Sequence, residues 1–420
     1  MGIFLLKYLL TCWYKKISIA IFASVLYHSD IKDSGLKVTD IEVGRVESQH
    51  TPQVVVRVPG VTTILGEFAF HSQGKVLCCA NTQELILRLT ESPDNQIHVT
   101  NSYTGDRKHF SLVSLKFRKE DKWANYVKGV LQQLAESEIK VRPFSLRLEG
   151  SVLKNDGATL AAAVSIGVFM ALKTLIGFEM SDRDIAFKCY SNCTGFCGEL
   201  TKFSTILTML AAEKDRYVLF DIDSLRHEMM EDPFDREKCS LVLVDCRIPP
   251  TAMREEINHK HVQVRDAFAR LRRIYNRSLR EFPINDLKDR TIPLDEESRK
   301  ICSAVLEDRL AANSMQKLFP ARDHAQIGRS LTKVGKLIRD DLELSCPEID
   351  WLIKRALEVP GCYGASLAFN GDNIYIALLL EQTARTLYDA KLEDYERIFG
   401  FKAVMTDLEP CGNWEILAVR

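Results

Sequence analysis

The sequence has no excess of charge of either sign, no long basic run and no cysteine framework, and each absence excludes a class of protein. Its 420 residues are 46% hydrophobic and 27% charged, which is typical of a globular protein and excludes a disordered chain, a collagen and a multi-span membrane protein. Basic and acidic residues balance at 56 and 57. Without a basic run, nucleic acid is not an expected partner.

The twelve cysteines are scattered without pairing, which is typical of a reducing compartment and predicts a cytoplasmic protein. Cys189, Cys193 and Cys197 recur at intervals of four and could line one face of a helix. That spacing resembles half of a metal site, but no fourth ligand follows at a matching distance. Buried or adventitious thiols are the favoured interpretation.

The first 27 residues are apolar but are interrupted by Lys7, Lys15 and Lys16. The run that remains, Ile17–Tyr27, has about eleven residues, too few for a membrane-spanning helix. It has the outline of a secretory signal without a clear cleavage site. A start codon placed too far upstream and a packed extension are the alternatives. Residues 1–27 are therefore set apart as an extension, and no stable membrane span is expected.

From residue 53 the pattern alternates between strands and helices. β-branched runs predict strands in QVVVRVPG, GKVLCC, ELILRLT, QIHVTNSY and FSLRLEGSV. Apolar spacing predicts an amphipathic helix in KWANYVKGVLQQLAE, and a helix from Ala158 to Leu175 is apolar all round and hence buried. Strands in YVLFDID and SLVLVDCRIP then precede a basic helix from about His261 to Arg280.

The last third is mainly helical. Helices are predicted in SRKICSAVLEDRLAANSMQKLF, in HAQIGRSLTKVGKLIRDDLEL and in PEIDWLIKRALE, whose Pro347 suits a first turn. The runs CYGASLAF and NIYIALLL are joined by Asn370, Gly371 and Asp372, a hairpin signal. A helix from about Glu381 to Phe399 and two strands follow.

Three blocks resemble the galactokinase family of GHMP sugar and metabolite kinases. RVPGVTTILGEFAFHSQGKVL is similar to the family signature R-A-P-G-R-V-N-L-I-G-E-H-T-D-Y-N-x-G, and KWANYVKGVLQQL is similar to its Trp-x-Asn-Tyr-x-x-Gly helix. IGRSLTKVGKLIRDDLELSCPEIDWLIKRALEVPGCYGA is similar to its C-terminal block. The matches extend from about residue 53 to the C-terminus.

The resemblance implies an α/β plus α+β architecture, the two-domain GHMP-kinase fold with the ligand cleft between the domains. It predicts an N-terminal α/β domain at residues 28–205 and a ferredoxin-like α+β domain at residues 206–420. The implied activity is phosphorylation of the anomeric hydroxyl of galactose to galactose 1-phosphate with ATP and Mg. In the family a carboxylate serves as base, an arginine supports it, and a glycine-rich loop holds the triphosphate. Such a transfer depends mainly on positioning and charge compensation.

At several positions that align with site residues of the family, this sequence has a residue of a different chemical type. Val61 stands where the signature has its catalytic arginine, and Phe70 stands where it has an aspartate that binds the sugar. We expect Glu67 and Phe70 to line the substrate pocket, with the phenyl ring filling it. The family's Gly-x-x-Asp-Gln-Phe segment aligns with Gly198–Phe203, which puts Thr201 at the base position. Glu199 is a possible stand-in, although positions i and i+2 of a helix face different directions.

The phosphate loop is altered as well. The family's Pro-x-Gly-x-Gly-Leu-Ser-Ser-Ser aligns with residues 153–161. The nucleotide-binding candidates are Lys154, Asn155, Asp156, Gly157 and Thr159, and the Thr159 hydroxyl is also a weak candidate ligand for magnesium. Backbone amides at the start of a helix suit phosphate, whereas Asp156 would repel it. The alternative is a tight turn before a core helix.

These substitutions predict a galactokinase-like protein that is a weak or inactive pseudoenzyme. One alternative is a still-active ATP-dependent galactokinase or sugar kinase in which Glu67, Asp156 or Glu199 has taken a new role. Another is a non-catalytic scaffold or sensor that binds a protein partner. An active protein would have a sugar and a nucleotide as its small-molecule partners.

Overall fold

The computed structural model describes residues 54–154, 157–275, 278–289, 291–371 and 373–419. The expectations for residues 1–27, Asn155, Asp156 and Asp372 fall outside these ranges. The described residues belong to one compact unit.

Twelve strands of the described residues form one sheet. They are β1 Val54–Leu65, β2 Lys75–Glu91, β3 Ile97–Asn101, β4 Arg107–Phe110, β5 Phe144–Glu149, β6 Arg216–Asp221, β7 Arg226–Glu231, β8 Cys239–Asp245, β9 Cys362–Asn370, β10 Asn373–Glu381, β11 Val404–Asp407 and β12 Glu415–Val419.

The strands follow the order β11-β8-β10-β9-β1-β2-β5-β3-β4, with β12 paired to β1 and β6 to both β2 and β7. The antiparallel hairpin of β1 and β2 lies at the centre and joins the earlier strands to the later ones. β3 and β5 are parallel, whereas the other pairs are antiparallel. The hairpin predicted around Asn370 is confirmed, since Asn370 pairs with Asn373.

Ten α-helices lie within the described residues. They are α1 Ala69–Ser72, α2 Ala124–Glu136, α3 Ala158–Ile176, α4 Asp182–Ser191, α5 Phe203–Ala211, α6 Pro250–Ile274, α7 Glu296–Ala321, α8 His324–Asp340, α9 Pro347–Leu357 and α10 Gln382–Phe399.

Two hydrophobic clusters hold these elements together. One packs α2, α3 and α5 against β1, β2 and β5, and the other packs the helices α6 to α10 against β8, β9 and β10. Each fully buried leucine or phenylalanine contributes about 1.5 to 3 kcal/mol to such a core. The division into domains at residues 205 and 206 stays a prediction.

Helix α3 is buried as predicted, from Ala158 to Leu172. It is also the one described helix long and apolar enough to cross a membrane, but 78% of its apolar window is buried inside the protein. Burial of this kind is what a core helix requires.

Candidate functional site

The loop between β1 and β2 begins at Gly66, where only glycine fits. Its φ is +84°, and an added Cβ would lie 2.4 Å from the carbonyl oxygen of Lys75. The backbone N–H of Gly66 donates to the two carboxylate oxygens of Asp308, at 3.0 and 2.9 Å. Helix α7, which carries Asp308, therefore anchors the loop and sets the position of the next residue, Glu67.

Glu67 lies in the interior beside two basic side chains. It is 4% exposed, forms an ion pair with Lys202, and has Oε1 at 3.6 Å from Nε2 of His261. Burial opposes its ionisation, but the charge of Lys202 and the proximity of His261 outweigh burial and hold the pKa of Glu67 below its ordinary value. Its second oxygen, Oε2, has no hydrogen-bond partner among the described residues.

Asp308 is the second buried carboxyl group of this region. Burial raises the pKa of Asp308 to about 7; the Gly66 N–H acts in the opposite direction, and the negative charge of Glu67 adds to the rise. Burial therefore dominates at Asp308, whereas the neighbouring basic side chains dominate at Glu67. We call Glu67, Lys202, His261 and Asp308 the Glu67 cluster.

The predicted base and arginine positions carry no charged group. Val61 is 2% exposed, pairs with Ala80 across the β1–β2 hairpin and belongs to the hydrophobic core. Thr201 is 4% exposed, and its hydroxyl donates to the carbonyl oxygen of Ala158 at 3.1 Å. Both side chains therefore have structural contacts: Val61 packs in the sheet, and Thr201 bonds to the first residue of α3.

The expectation that the Phe70 ring fills a pocket is wrong. Phe70 is 65% exposed and packs edge-on against His71. The buried ring is that of Phe68, 1% exposed, which lies 4.6 Å from the His261 ring and 6.5 Å from the Phe369 ring. Helix α1 is a single turn, and positions two residues apart on a turn face different directions, so burying Phe68 leaves Phe70 outside.

The described part of the predicted phosphate loop lies at the start of α3. Lys154 ends a short 3₁₀ helix and is exposed, and Gly157, with φ +86°, directly precedes α3. The Thr159 hydroxyl donates to the side-chain oxygen of Asn370 at 3.0 Å. An added Cβ at Gly371 would lie 2.3 Å from that hydroxyl oxygen. The turn between β9 and β10 is therefore packed on Thr159, and a role of this hydroxyl in magnesium binding stays a prediction.

A cavity of about 380 Å³ opens beside Lys154 and the first turns of α3, and we call it the Trp123 cavity. Trp123 is 5% exposed, and its Nε1 has no hydrogen-bond partner among the described residues. Aromatic faces suit a heterocyclic base, and cations suit phosphate groups. Its aromatic and basic lining residues are Tyr103, Phe117, Trp123, Tyr126, Lys119, Lys122, Lys154 and Arg254.

The Trp-x-Asn-Tyr-x-x-Gly segment builds one wall of this cavity. The Asn125 side chain accepts from the N–H of Arg118 at 3.1 Å and donates to the carbonyl oxygens of Arg118 and Lys122 at 2.7 and 3.0 Å. Lys128, whose side chain is 2% exposed, forms an ion pair with Asp121. Together these contacts fix residues 118–122 against α2.

Glu199, the possible stand-in base, lines the Trp123 cavity. Its Oε1 accepts a hydrogen bond of 2.7 Å from the Tyr126 hydroxyl. A catalytic role for Glu199 stays a prediction.

Three residues of the Glu67 cluster were not predicted from the sequence: Lys202, His261 and Asp308. Only Lys202 carried a local signal, because it replaces the glutamine of the family's Asp-Gln-Phe.

The three evenly spaced cysteines are a buried cluster of thiols. Cys189 and Cys193 are buried and Cys197 is half-buried. Burial raises the pKa of Cys193 to about 12, which keeps this thiol protonated. Within the described ranges, no group of three or more histidine, cysteine, aspartate or glutamate side chains could hold a metal ion.

No protein-family model matches the chain, but whole proteins do. It is 25% identical to the galactokinase of Pyrococcus furiosus over 365 residues, which cover 85% of this chain and 98% of that protein. It is 27% identical to the human galactokinase over 354 residues, which cover 81% of this chain and 87% of that protein.

Solved structures show the same fold. A Lactococcus lactis galactokinase complexed with galactose superposes with a TM-score of 0.75 at 19% identity, over 86% of this chain and 94% of that one. A Methanococcus jannaschii mevalonate kinase gives a TM-score of 0.58 at 13% identity, over 87% of this chain and 100% of that one. The fold is that of the GHMP kinases.

Within that class, the similarity to galactokinases extends over most of the chain's length. At 25 to 27% identity the chain is similar to galactokinases, which are GHMP kinases.

Proposed function

We propose that this chain is a galactokinase-like pseudoenzyme that binds a nucleotide in the Trp123 cavity and transfers phosphate to galactose weakly or not at all. Similarity to galactokinases over most of the chain supports the general activity, that of an ATP-dependent sugar kinase. The finer proposal concerns this chain's own residues at the positions that perform the transfer.

The ion pair between Glu67 and Lys202 carries the proposal. A sugar hydroxyl needs an acceptor close to it, and the carboxylate of Glu67 is already bound by a lysine in the protein interior. To bind a sugar through Glu67, the protein would have to part the two charges or add the sugar to their contacts. Parting a buried ion pair costs about 3 to 5 kcal/mol.

The positions aligned with the base and the arginine support the same proposal. Thr201 is a poor base because its hydroxyl pKa is far above 7, and that hydroxyl donates to a backbone carbonyl. Val61 is apolar and buried in the sheet, so it cannot compensate charge in the transition state. Removal of one such contact slows a reaction by about 10² to 10³, and contacts that act as a unit do not lose their effects additively.

Binding of a nucleotide rests on the lining of the Trp123 cavity. Its volume, about 380 Å³, is within the range of roughly 300 to 1,000 Å³ usual for ligand sites. The rings of Tyr103 and Phe117 in its lining suit a base, and the exposed Lys154 is available to a phosphate. Magnesium would enter with the nucleotide as part of the substrate.

The test is phosphate transfer from Mg-ATP by the full chain, measured as ADP release with galactose and with a panel of other sugars. We expect no sugar-dependent release above background, against turnover of about 1 to 100 per second for typical kinases. Thr201→Asp/Lys202→Gln, which recreates the family's Asp-Gln-Phe and frees Glu67, is expected to raise any residual rate. Lys202→Gln alone is the matched control, because it frees Glu67 without supplying a base.

Sugar-dependent turnover at a kinase rate in the unmodified chain would refute the proposal. It would favour the alternative in which another carboxylate has become the base, with Glu199 the first candidate for substitution. If neither Mg-ATP nor any sugar binds, the nucleotide part of the proposal fails and a protein-binding scaffold becomes the better hypothesis.

A further inference from the structure

A separate cavity of about 310 Å³ lies where the loop between β1 and β2 ends, and nothing in the proposed function uses it. Gln73 and Lys75 contribute from the end of the loop, and Arg309 and Gln316 contribute from α7. Arg309 directly follows Asp308, which holds the start of the same loop at Gly66. One helix therefore supports both ends of the loop.

Arg309 is a buried cation without a counterion in the part of the chain that the structure describes. It is 4% exposed, and it donates to the carbonyl oxygens of Leu279 and Phe282 at 2.5 and 3.0 Å. Burial and the nearby charge of Arg280 lower its pKa, and no carboxylate opposes them. A guanidinium has five N–H donors, so two carbonyl contacts leave donors for another acceptor.

The other charges of the lining do not neutralise Arg309. Arg280 is bound by Asp221, with contacts of 3.1 and 2.6 Å. Lys75 donates to the side-chain oxygen of Gln316 at 2.6 Å, and it forms no ion pair with any described residue. The cavity thus has three cations and one carboxylate in its lining. Within this lining Lys75 and Arg309 have no carboxylate partner. Asp223 and Glu228 lie outside the lining and accept hydrogen bonds from Gln73 and Gln316 at 3.1 and 2.5 Å.

We infer that this cavity binds a small phosphate monoester. A phosphate monoester carries about −1.5 to −2 charges at pH 7 and has three strong acceptor oxygens, which matches the excess of two positive charges. Arginine and lysine are the usual partners of such oxygens. The exposed Asn313, which also lines the cavity, provides an amide for a hydroxyl group on the rest of the ligand. The inference does not depend on the proposed function, since it involves no residue of the Glu67 cluster or the Trp123 cavity.

The experiment titrates the full chain with inorganic phosphate and, separately, with glycerol phosphate and acetate. Ionic strength is held constant with chloride, because screening alone changes the energy of exposed charges. Calorimetry gives the dissociation constant, and the thermal midpoint checks that binding is to the folded protein. We expect both phosphates to bind and acetate to bind more weakly.

Lys75→Gln is expected to weaken phosphate binding at least about tenfold, as the loss of one charge-assisted hydrogen bond predicts. Gln316→Glu, which adds a negative charge to the lining, is expected to weaken it too. Lys317→Gln is the matched control: it removes the same charge from the same helix, outside the lining. It is expected to leave the dissociation constant unchanged.

The inference is overturned if the unmodified chain does not bind phosphate, or if Lys75→Gln and Lys317→Gln have equal effects. It is also overturned if Lys154→Gln abolishes phosphate binding and Lys75→Gln does not, because phosphate would then occupy the Trp123 cavity. Thermal unfolding of each variant in chloride alone separates loss of binding from loss of fold.

Discussion

The Glu67 cluster and the Trp123 cavity lie in the same fold but offer a ligand different chemistry. In the cluster, the surviving acidic residue of the family signature is held by Lys202, and the positions aligned with the base and the arginine are Thr201 and Val61. In the cavity, Asn125 and Lys128 still fix the wall, and the Trp123 N–H is unpaired among the described residues. The carboxylate of the Glu67 cluster is thus already bound to a cation, whereas the Trp123 cavity is an open space with a fixed wall.

The contrast indicates that the two regions depend on different residues for stability. The Glu67 cluster is held by paired charges, whereas the wall of the Trp123 cavity is held largely by hydrogen bonds to the backbone. Removing the partner of a buried charge lowers the free energy of unfolding by several kcal/mol. Removing a buried amide that bonds to the backbone lowers it by less. Substitutions in the two regions are therefore expected to differ in size and in pH dependence.

The largest effect is expected from Lys202→Met. It leaves the carboxylate of Glu67 buried without a cation, and we expect a loss of about 3 to 5 kcal/mol in the free energy of unfolding at pH 8. Denaturant unfolding followed by circular dichroism measures it. Because the pKa of Glu67 is lowered in the folded state, the contribution of the pair is present above the unfolded pKa and is lost as pH falls through the folded one.

The control for this prediction is the double variant Glu67→Gln/Lys202→Met, which removes both charges. It should recover most of the lost stability. Equal destabilisation of the single and double variants would show that packing, and not the ion pair, explains the effect.

The next largest effect is expected from Asn125→Ala. The N–H of Arg118 loses its partner, and the carbonyl oxygens of Arg118 and Lys122 each lose one of two donors. We expect a loss of about 1 to 3 kcal/mol in the free energy of unfolding. Nucleotide affinity should fall with it, because the wall of the cavity is no longer fixed. Gln132→Ala, on an exposed position of the same helix, is the control and should change neither. If the Asn125→Ala variant binds Mg-ATP as tightly as the unmodified chain, the wall that Asn125 fixes is not part of the nucleotide site.

A pH-dependent effect is expected from Asp308→Asn. The pKa of Asp308 is raised from its ordinary value of 3.8 to about 7 in the folded protein. The folded state therefore binds the proton more tightly, and stability falls as pH rises between these two values. The neutral asparagine avoids this cost. Its stability relative to the unmodified chain should therefore increase by up to about 1.4 kcal/mol per pH unit over that window.

Urea unfolding at several pH values between 4 and 8 measures this difference. The exposed Asp286→Asn provides the control, and its difference from the unmodified chain should be flat across the same range. If the stability difference between Asp308→Asn and the unmodified chain does not change with pH, Asp308 is ionised in the folded protein over this whole pH range.

The smallest effect is expected from Thr159→Val. The variant removes the hydroxyl donated to Asn370, and we expect a loss of about 1 kcal/mol in the free energy of unfolding. In Thr174→Val the lost hydroxyl bonds only to its own helix, so this control should cost less. If the two variants cost the same, the turn between β9 and β10 is not held by Thr159.

Most of the fold was predictable because its signals are local. The buried helix α3, the hairpin at Asn370 and the helix that begins at Pro347 each depend on a few neighbouring residues. β7 was missed because its sequence, Arg226–Glu231, is polar and mostly exposed. GKVLCC and ELILRLT were predicted as separate strands, but they are one strand, β2, in which the Asn81 side chain bonds to Thr62 at a register shift.

The candidate site was less predictable because its contacts are distant in sequence. Glu67 meets Lys202 and His261 only through the fold, and Gly66 meets Asp308 in the same way. Val61 and Thr201 were predicted to be altered positions through the family resemblance, and this alignment stays a prediction. It could not say which of two phenylalanines in one turn is buried, and the expectation for Phe70 was wrong for that reason.

The measurement that tests the account most directly is the thermal midpoint of the full chain with Mg-ATP and, separately, with galactose. Binding to the folded state must raise the midpoint. We expect a rise with Mg-ATP, because the cations and aromatic rings of the Trp123 cavity suit a nucleotide, and no rise with galactose, because Lys202 holds Glu67. A rise with galactose, or none with Mg-ATP, would contradict it.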